Sequence, residues 1–187
     1  GSNVTFDTSG TVYLGQRYQE GGNGLDSGIQ ARIYDPYNNA ARGVMLEIKG
    51  VIGGTGSVVK TGYDTVTVSA ENTYSGATDV SNGTLRLGIN NALPTTTSLT
   101  TRGNGIIDLN GFNASVGALN SPAATSGGYI TNTATVEKTL TTTSATNTTY
   151  GGNIQNNVAL EKAGTGTLTL TSENTYIGKT TITAGTL

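Results

Sequence analysis

The side chains best suited to chemistry are three aspartates, Asp64, Asp79 and Asp108, with Arg86 and Arg102 as candidate partners. Two carboxyl groups held ~5 to 9 Å apart hydrolyse glycosidic bonds when one of them is kept protonated. Spacing along the sequence establishes neither condition, and single acids in polar turns are usually solvated. A carbohydrate-cleaving enzyme therefore stays open as an alternative, and we assign no catalytic residue.

Composition argues against several other chemistries. The chain has no Cys and no His, which removes disulfides, thiol catalysis, zinc-thiolate sites and the commonest general base. Its net charge is −2 with ten scattered basic residues, unlike the basic surface of a nucleic-acid binder. No run of ~18 apolar residues is present for a membrane span. We predict no cofactor, no metal, no nucleic-acid partner and no membrane-spanning element in this segment.

Two short motifs carry weak signals for ligands. Ile177–Thr180 contains the Gly-Lys-Thr of a phosphate loop, but it lacks the earlier glycine and is followed by a strand-like Thr-Thr-Ile. Gly21–Asp26 matches the start of a calcium-binding nonapeptide, but as a single copy without the large apolar residue such repeats need, since Gly28 stands there. Neither motif predicts a bound ligand.

Residues 1–45 differ from the rest of the chain in carrying more charged and aromatic residues. Because Tyr and Arg make high-contact anchors, this region holds the candidate recognition residues Tyr13, Arg17, Tyr18, Arg32, Tyr34 and Tyr37. A cap that shields the first exposed strand edges is the other interpretation. We treat 1–45 as irregular N-terminal turns or a cap.

The element type that must position any site is the β-strand. The chain contains 35 Thr, 28 Gly and 18 Asn, residues that favour pleated surfaces and tight turns. Thr65–Ser69 alternates Thr with Val, which places the Val side chains on one buried face. Strands of three to six residues are predicted from Val44 onward, including separate strands at Thr78–Ser81 and Thr84–Leu87 and a single one at Ala114–Leu119.

The chain is organised by a duplication of residues 58–85 as residues 160–187. The copies align without gaps at an offset of 102 residues, the distance from Glu71 to Glu173, and 13 of the 28 positions are identical. We interpret the shared residues as structural, against a second interpretation in which Tyr74 and Tyr176 contact glycans. The positions concerned are Gly62, Glu71, Asn72, Tyr74, Gly76, Gly83 and Leu85 in copy one, and Gly164, Glu173, Asn174, Tyr176, Gly178, Gly185 and Leu187 in copy two.

A fixed internal repeat of short alternating strands predicts a solenoid. Strands of ~5 residues joined by short turns need ~20 to 25 residues for each turn of a three-sided coil. The offset then contains about four or five turns and the chain about eight. We predict an all-β, parallel β-helix over residues 46–187.

Several segments resemble a known family. Lys162–Leu170, Asn174–Ile182 and Gly185–Leu187 are similar to the passenger-associated strand repeat of bacterial autotransporters, and Leu85–Gly88, Asn91–Pro94 and Ile107–Asn113 resemble the connecting segments of such passengers. Copy one departs from the pattern where Tyr63-Asp64 replaces Thr165-Gly166. The resemblance covers residues 44–187 and implies a right-handed β-helix displayed outside a Gram-negative-type cell, without catalytic residues.

The resulting hypothesis is a non-catalytic, surface-exposed or secreted solenoid segment that acts as an adhesin stalk, spacer or self-associating element. Cell-surface glycans or further copies of the chain, end to end or side by side, are the expected partners. The alternatives are a β-helical polysaccharide lyase or hydrolase and a glycan-binding module. We expect the chain to be a segment of a longer polypeptide.

Overall fold

The structure, a computed structural model, describes residues 6–8, 12–14, 30–31, 45–121 and 127–187. Every regular element within these ranges is a β-strand, and all described strand pairs are parallel. The strands stack into a β-solenoid of about seven turns, which confirms the predicted fold class and lies near the predicted eight turns. Nowhere in the described ranges does an apolar helix reach the length needed to cross a bilayer.

The solenoid has three faces, and the first of them contains the strand with which copy one begins. Its strands are β2 (Val12–Leu14), β6 (Val58–Lys60), the first parts of β8 (Thr78–Leu87) and β9 (Ser98–Asp108), β11 (Ala118–Asn120), β14 (Thr148–Tyr150) and β17 (Leu168–Leu170). The short β3 (Gln30–Ala31) pairs with β2. A hydrogen bond of 3.0 Å from Ser121 N to Thr149 O joins β11 to β14 across the break in the ladder.

The second face follows the first along each turn of the chain. It comprises β4 (Met45–Ile48), β7 (Thr65–Val68), the second parts of β8 and β9, β12 (Gly127–Thr131), β15 (Asn153–Asn156) and β18 (Thr175–Tyr176). Both β8 and β9 therefore run around the corner between the first and second faces. The prediction of two separate strands within residues 78–87 was wrong, because Gly83, at φ +65°, lets the backbone turn without leaving the ladder.

The third face closes each turn. It contains β1 (Phe6–Thr8), β5 (Ile52–Gly54), residues 72–75, β10 (Ala114–Val116), β13 (Lys138–Thr142), β16 (Val158–Lys162) and β19 (Thr180–Ile182). Residues 72–75 join it through hydrogen bonds of 2.9 Å from Thr73 N to Ile52 O and from Ser75 N to Gly54 O. The predicted single strand Ala114–Leu119 is divided between the third and first faces, with Gly117 at the corner.

The core is a set of apolar columns that run along the solenoid axis. On the second face Val66, Leu85, Ile107, Ile130 and Ile154 lie in register, and each is at most 1% exposed. Burying a side chain of this size contributes ~1.5 to 3 kcal/mol. Stacking of equivalent positions therefore replaces the packing of two layers that a globular domain would use.

Turn length varies along the chain. On the second face one turn takes 19 residues from Val66 to Leu85 and 24 residues from Ile130 to Ile154. These lengths agree with the ~20 to 25 residues expected for a three-sided coil.

The two copies of the repeat do not occupy equivalent faces. Copy one begins on the first face with β6, whereas copy two begins on the third face with β16. Counting along the first face from β6 through β8, β9 and β11 to β14 gives four turns, and two more faces lead to β16. The offset is thus four and two-thirds turns, so copy two is rotated by one face relative to copy one.

Candidate functional site: two lysine clamps and the outer surface

Copy one contains a buried lysine at the corner between the first and second faces. Lys60 is 0% exposed, and its Nζ donates hydrogen bonds to Thr61 O at 2.8 Å, Gly62 O at 2.9 Å and Asn82 O at 3.1 Å. The first two acceptors belong to its own corner and the third to the next turn. We call Lys60, Gly62 and Gly83 the first lysine clamp, because one ammonium group joins two successive corners.

The geometry of this clamp explains its glycines and its electrostatics. A Cβ at Gly83 would collide with Gly62 O and lie 2.7 Å from the ammonium nitrogen of Lys60. Burial lowers the pKa of Lys60 to about 8, and the charge of Asp64 opposes this shift. Such a buried cation is tolerated because its donors are satisfied by carbonyl oxygens.

Copy two repeats the same device. Lys162 is 1% exposed, and its Nζ donates to Gly164 O and, at 3.4 Å, to Ala184 O of the next turn. A Cβ at Gly185, whose φ is +74°, would lie 2.8 Å from that nitrogen. Lys162, Gly164 and Gly185 form the second lysine clamp, which accounts for the Lys and Gly identities shared between the copies.

The shared Glu-Asn-Thr-Tyr block also has an internal role. Asn72 accepts from Ile52 N at 2.7 Å and donates to Ala92 O at 2.7 Å, so its side chain joins the preceding and following turns. Asn174 makes the equivalent contact with Ile154 N at 2.8 Å. Each of these carboxamides therefore links the backbones of neighbouring turns by hydrogen bonds.

The tyrosines of the block differ in exposure. Tyr74 is 2% exposed, and its hydroxyl lies 2.6 Å from Thr78 Oγ1, which in turn lies 2.9 Å from Thr97 Oγ1. Burial raises the pKa of the Tyr74 hydroxyl. Tyr176 makes the matching 2.8 Å contact with Thr180. Because Tyr74 is enclosed in the core, it does not present a surface to a glycan.

The remaining repeat positions lie on both sides of the sheet. Leu85 is in the core, and Gly76 and Gly178 pack against backbone atoms of the preceding turn, where a Cβ would not fit. Glu71, Glu173 and Leu187 are exposed. Tyr63, where copy one departs from the pattern, is 75% exposed.

Two of the three candidate acids, Asp79 and Asp108, pair with an arginine in the next or preceding turn, whereas the charge of the third, Asp64, acts on Lys60. Asp79 accepts from Arg102 on the outside of the first face. Asp108 is 1% exposed and accepts from Arg86 Nε at 3.0 Å, from Thr133 N and Oγ1 at 3.1 and 2.8 Å, and from Asn110 N at 2.9 Å. The two pairs therefore use their charge to join successive turns.

The other predicted ligand positions do not form a candidate site within the described residues. Of the recognition candidates, only the backbone of Tyr13 falls within a described strand, and Arg17, Tyr18, Arg32, Tyr34 and Tyr37 lie outside the described residues, as does the Gly21–Gly28 segment. The Gly-Lys-Thr motif leads into strand β19. Within the described part of the chain no three acids approach closely enough to hold a metal ion.

Sequence reasoning missed an asparagine ladder at the corner between the second and third faces. Asn110 Nδ2 donates to Leu87 O at 3.0 Å, and Asn132 Nδ2 donates to Asn157 O at 3.0 Å. Asn91, Asn110 and Asn156 adopt positive φ there. The sequence does contain a signal for this ladder, because Asn recurs at intervals of about one turn. Aligning the two copies of the repeat does not reveal it.

Comparison with known proteins gives a consistent result. The family model described as passenger-associated-transport-repeat matches residues 58–87 and 160–187, which contain the two copies found above. The chain is 35% identical over 144 residues to the adhesin BmaC autotransporter of Brucella suis biovar 1 (strain 1330), an alignment that covers 76% of the chain and 4% of that protein. No solved structure matches.

The resemblance to autotransporter passengers is thus confirmed at both repeats. With its parallel solenoid and its two lysine clamps at the matched positions, the chain contains two passenger-associated repeats of the autotransporter type.

Proposed function

We propose that this segment is a non-catalytic stalk or spacer within a surface-displayed or secreted adhesin of a Gram-negative-type bacterium. The observation that carries the proposal is that lysine and asparagine residues shared by both copies join successive turns to each other. Lys60 and Lys162, together with Asn72 and Asn174, contact backbone groups of neighbouring turns. A segment whose repeated residues serve cohesion is suited to spanning distance rather than to turnover.

The polar character of the outer surface favours a binding partner that is itself polar. Outward positions such as Thr67, Thr100, Thr141 and Thr169 are hydroxyl-bearing or polar, and the charged pairs are few. Cell-surface glycans or further copies of the chain are the partner classes we infer. The relative's printed name, an adhesin, favours the same direction.

The proposal is tested by incubating the purified chain with a panel of neutral and acidic polysaccharides. We expect no cleavage, while small-angle scattering should give an elongated particle. Cleavage that disappears in Asp79→Asn or Asp108→Asn, with the β-sheet circular dichroism unchanged, would establish the enzymatic alternative and overturn the stalk proposal.

A further inference from the structure

Two Asn-Gly dipeptides occupy the same corner in adjacent turns. Asn82 pairs with Asn104, and Gly83 with Gly105, in the parallel ladder between β8 and β9. Asn-Gly sequences are the ones in which a backbone nitrogen can most easily reach the preceding side chain, because glycine has no Cβ in the way. The two dipeptides therefore form a natural comparison within one molecule.

Asn82 is hydrogen-bonded at both its side chain and its carbonyl oxygen. Its Oδ1 accepts a hydrogen bond from the following Gly83 N at 3.0 Å, which holds the side-chain amide beside that nitrogen. Lys60 Nζ donates to the Asn82 carbonyl oxygen at 3.1 Å. This carbonyl and the Gly83 nitrogen belong to one peptide group, so the lysine stabilises negative charge that arises when the nitrogen loses its proton.

We propose that Asn82 is a self-modification site, at which Lys60 promotes attack of the Gly83 nitrogen on the Asn82 side-chain carbon. Hydroxide takes the Gly83 amide proton, a bond forms between Gly83 N and Asn82 Cγ, and the Cγ–Nδ2 bond breaks. The nitrogen leaves as ammonia after taking a proton from water. Hydrolysis of the resulting succinimide then adds one water, giving aspartate or isoaspartate with no oxidation or reduction.

The environment of Asn104 lacks the promoting group. Its side chain is exposed, and among the contacts of the described residues no lysine reaches the Asn104 carbonyl. Copy two lacks the reacting group instead, because Ala184 stands where copy one has Asn82. The second clamp keeps its lysine contact with Ala184 O, so the site is confined to copy one.

Modification at this position would act on the first lysine clamp directly. A new carboxylate would lie on the residue whose carbonyl binds Lys60. An isoaspartyl link would also add one carbon to the main chain next to Gly83, which packs so closely on the backbone oxygens of Gly62 and Asp64 that a Cβ on it would collide with the first and lie 2.6 Å from the second. The reaction therefore loosens the contact between two turns.

The test compares deamidation rates within the folded, full chain at about pH 7, where Lys60, with its pKa of about 8, keeps its charge, and peptide mass mapping follows the two sites. We expect Asn82 to deamidate about tenfold faster than Asn104, since a hydrogen bond to a charged group exceeds the ~1.4 kcal/mol that corresponds to tenfold in rate. In urea-unfolded chain the two rates should converge. Equal rates in the folded chain, or the same rate ratio folded and unfolded, would overturn the proposal.

A pair of variants assigns the effect to the lysine. Lys60→Met should lower the ratio of the Asn82 rate to the Asn104 rate toward one, whereas Lys162→Met, which disturbs the equivalent clamp of copy two, should leave it unchanged. A ratio that survives Lys60→Met while circular dichroism shows an intact fold would contradict the role of Lys60. Because unfolding also brings this ratio toward one, urea titration must show that Lys60→Met and Lys162→Met are both folded under the assay conditions, and a ratio near one in folded Lys60→Met then supports the role of the lysine.

Discussion

A lysine enclosed at a solenoid corner must satisfy its charge with the backbone oxygens that the corner supplies. At Lys60 these are three carbonyls from two successive turns. Alignment of the copies identified Lys60 and Lys162 as shared residues, but a lysine is ordinarily a surface residue, and nothing in its spacing indicates burial. Only the paths of two neighbouring turns determine that these ammonium groups face inward.

The lowered pKa of Lys60 predicts a pH dependence of stability. The folded-state pKa is about 8 and the ordinary value is 10.5, so between these values the unfolded chain binds more protons than the folded chain. We therefore expect the free energy of unfolding contributed by this residue to increase as the pH rises from about 8 to 10.5. Urea titrations across this range measure it, with Lys60→Met as the control that should lack the increase.

The hydroxyl of Tyr74 permits a second test at the same scale. Tyr74→Phe removes one hydrogen-bond partner of the buried Thr78 hydroxyl, and should lower the free energy of unfolding by ~1 to 2 kcal/mol. Tyr176→Phe is the matched control, since its hydroxyl contact is exposed and should matter less. Equal losses in urea unfolding would contradict the structural account of the block.

At the scale of elements, the sequence was most informative where alternation and repetition coincide. Thr65–Val68 and Leu168–Leu170 were located because each has a twin and a period of two. No strand was identified between residues 120 and 158, where β12 to β15 lie, since these strands have no twin and their Thr and Asn residues point both inward and outward. The corners were also hard to predict. A strand that continues around a corner, as β8 and β9 do, keeps its ladder hydrogen bonds although its residues pass from one face to the next.

The corner glycines provide a prediction for these elements. Gly83→Ala should lower the free energy of unfolding by ~2 kcal/mol or more, because the residue adopts positive φ and its Cβ would collide with the Gly62 carbonyl. Gly103→Ala should cost ~1 kcal/mol, since φ is also positive there but the nearest atom, Ser81 O, is 3.1 Å from the added carbon. Thermal or urea unfolding compares them, and a larger loss at Gly103 would refute the argument from packing.

At the scale of the whole molecule, the offset between the copies matters more than their similarity. The sequence alone predicts four or five turns between them, but it does not reveal the extra two faces, because turn lengths that vary from 19 to 24 residues on the second face alone absorb such a difference. Both copies of the repeat therefore have the same contacts between two successive turns. These contacts form whether the copy begins on the first face or on the third. Rotation by one face also places the two clamps on different sides of the solenoid.

Engineered disulfides test the rotated stacking of the two copies directly, because the chain has no Cys of its own. Thr141 and Glu161 are register partners on the third face, with a side-chain hydrogen bond of 2.9 Å between them. Thr141→Cys combined with Glu161→Cys should form a disulfide under mild oxidation, since parallel neighbours lie within the ~4.4 to 6.8 Å Cα separation that a disulfide spans. Thr149→Cys combined with Glu161→Cys should not form one. Cross-linking of the second pair and not the first would place copy two a whole number of turns from copy one and contradict the account.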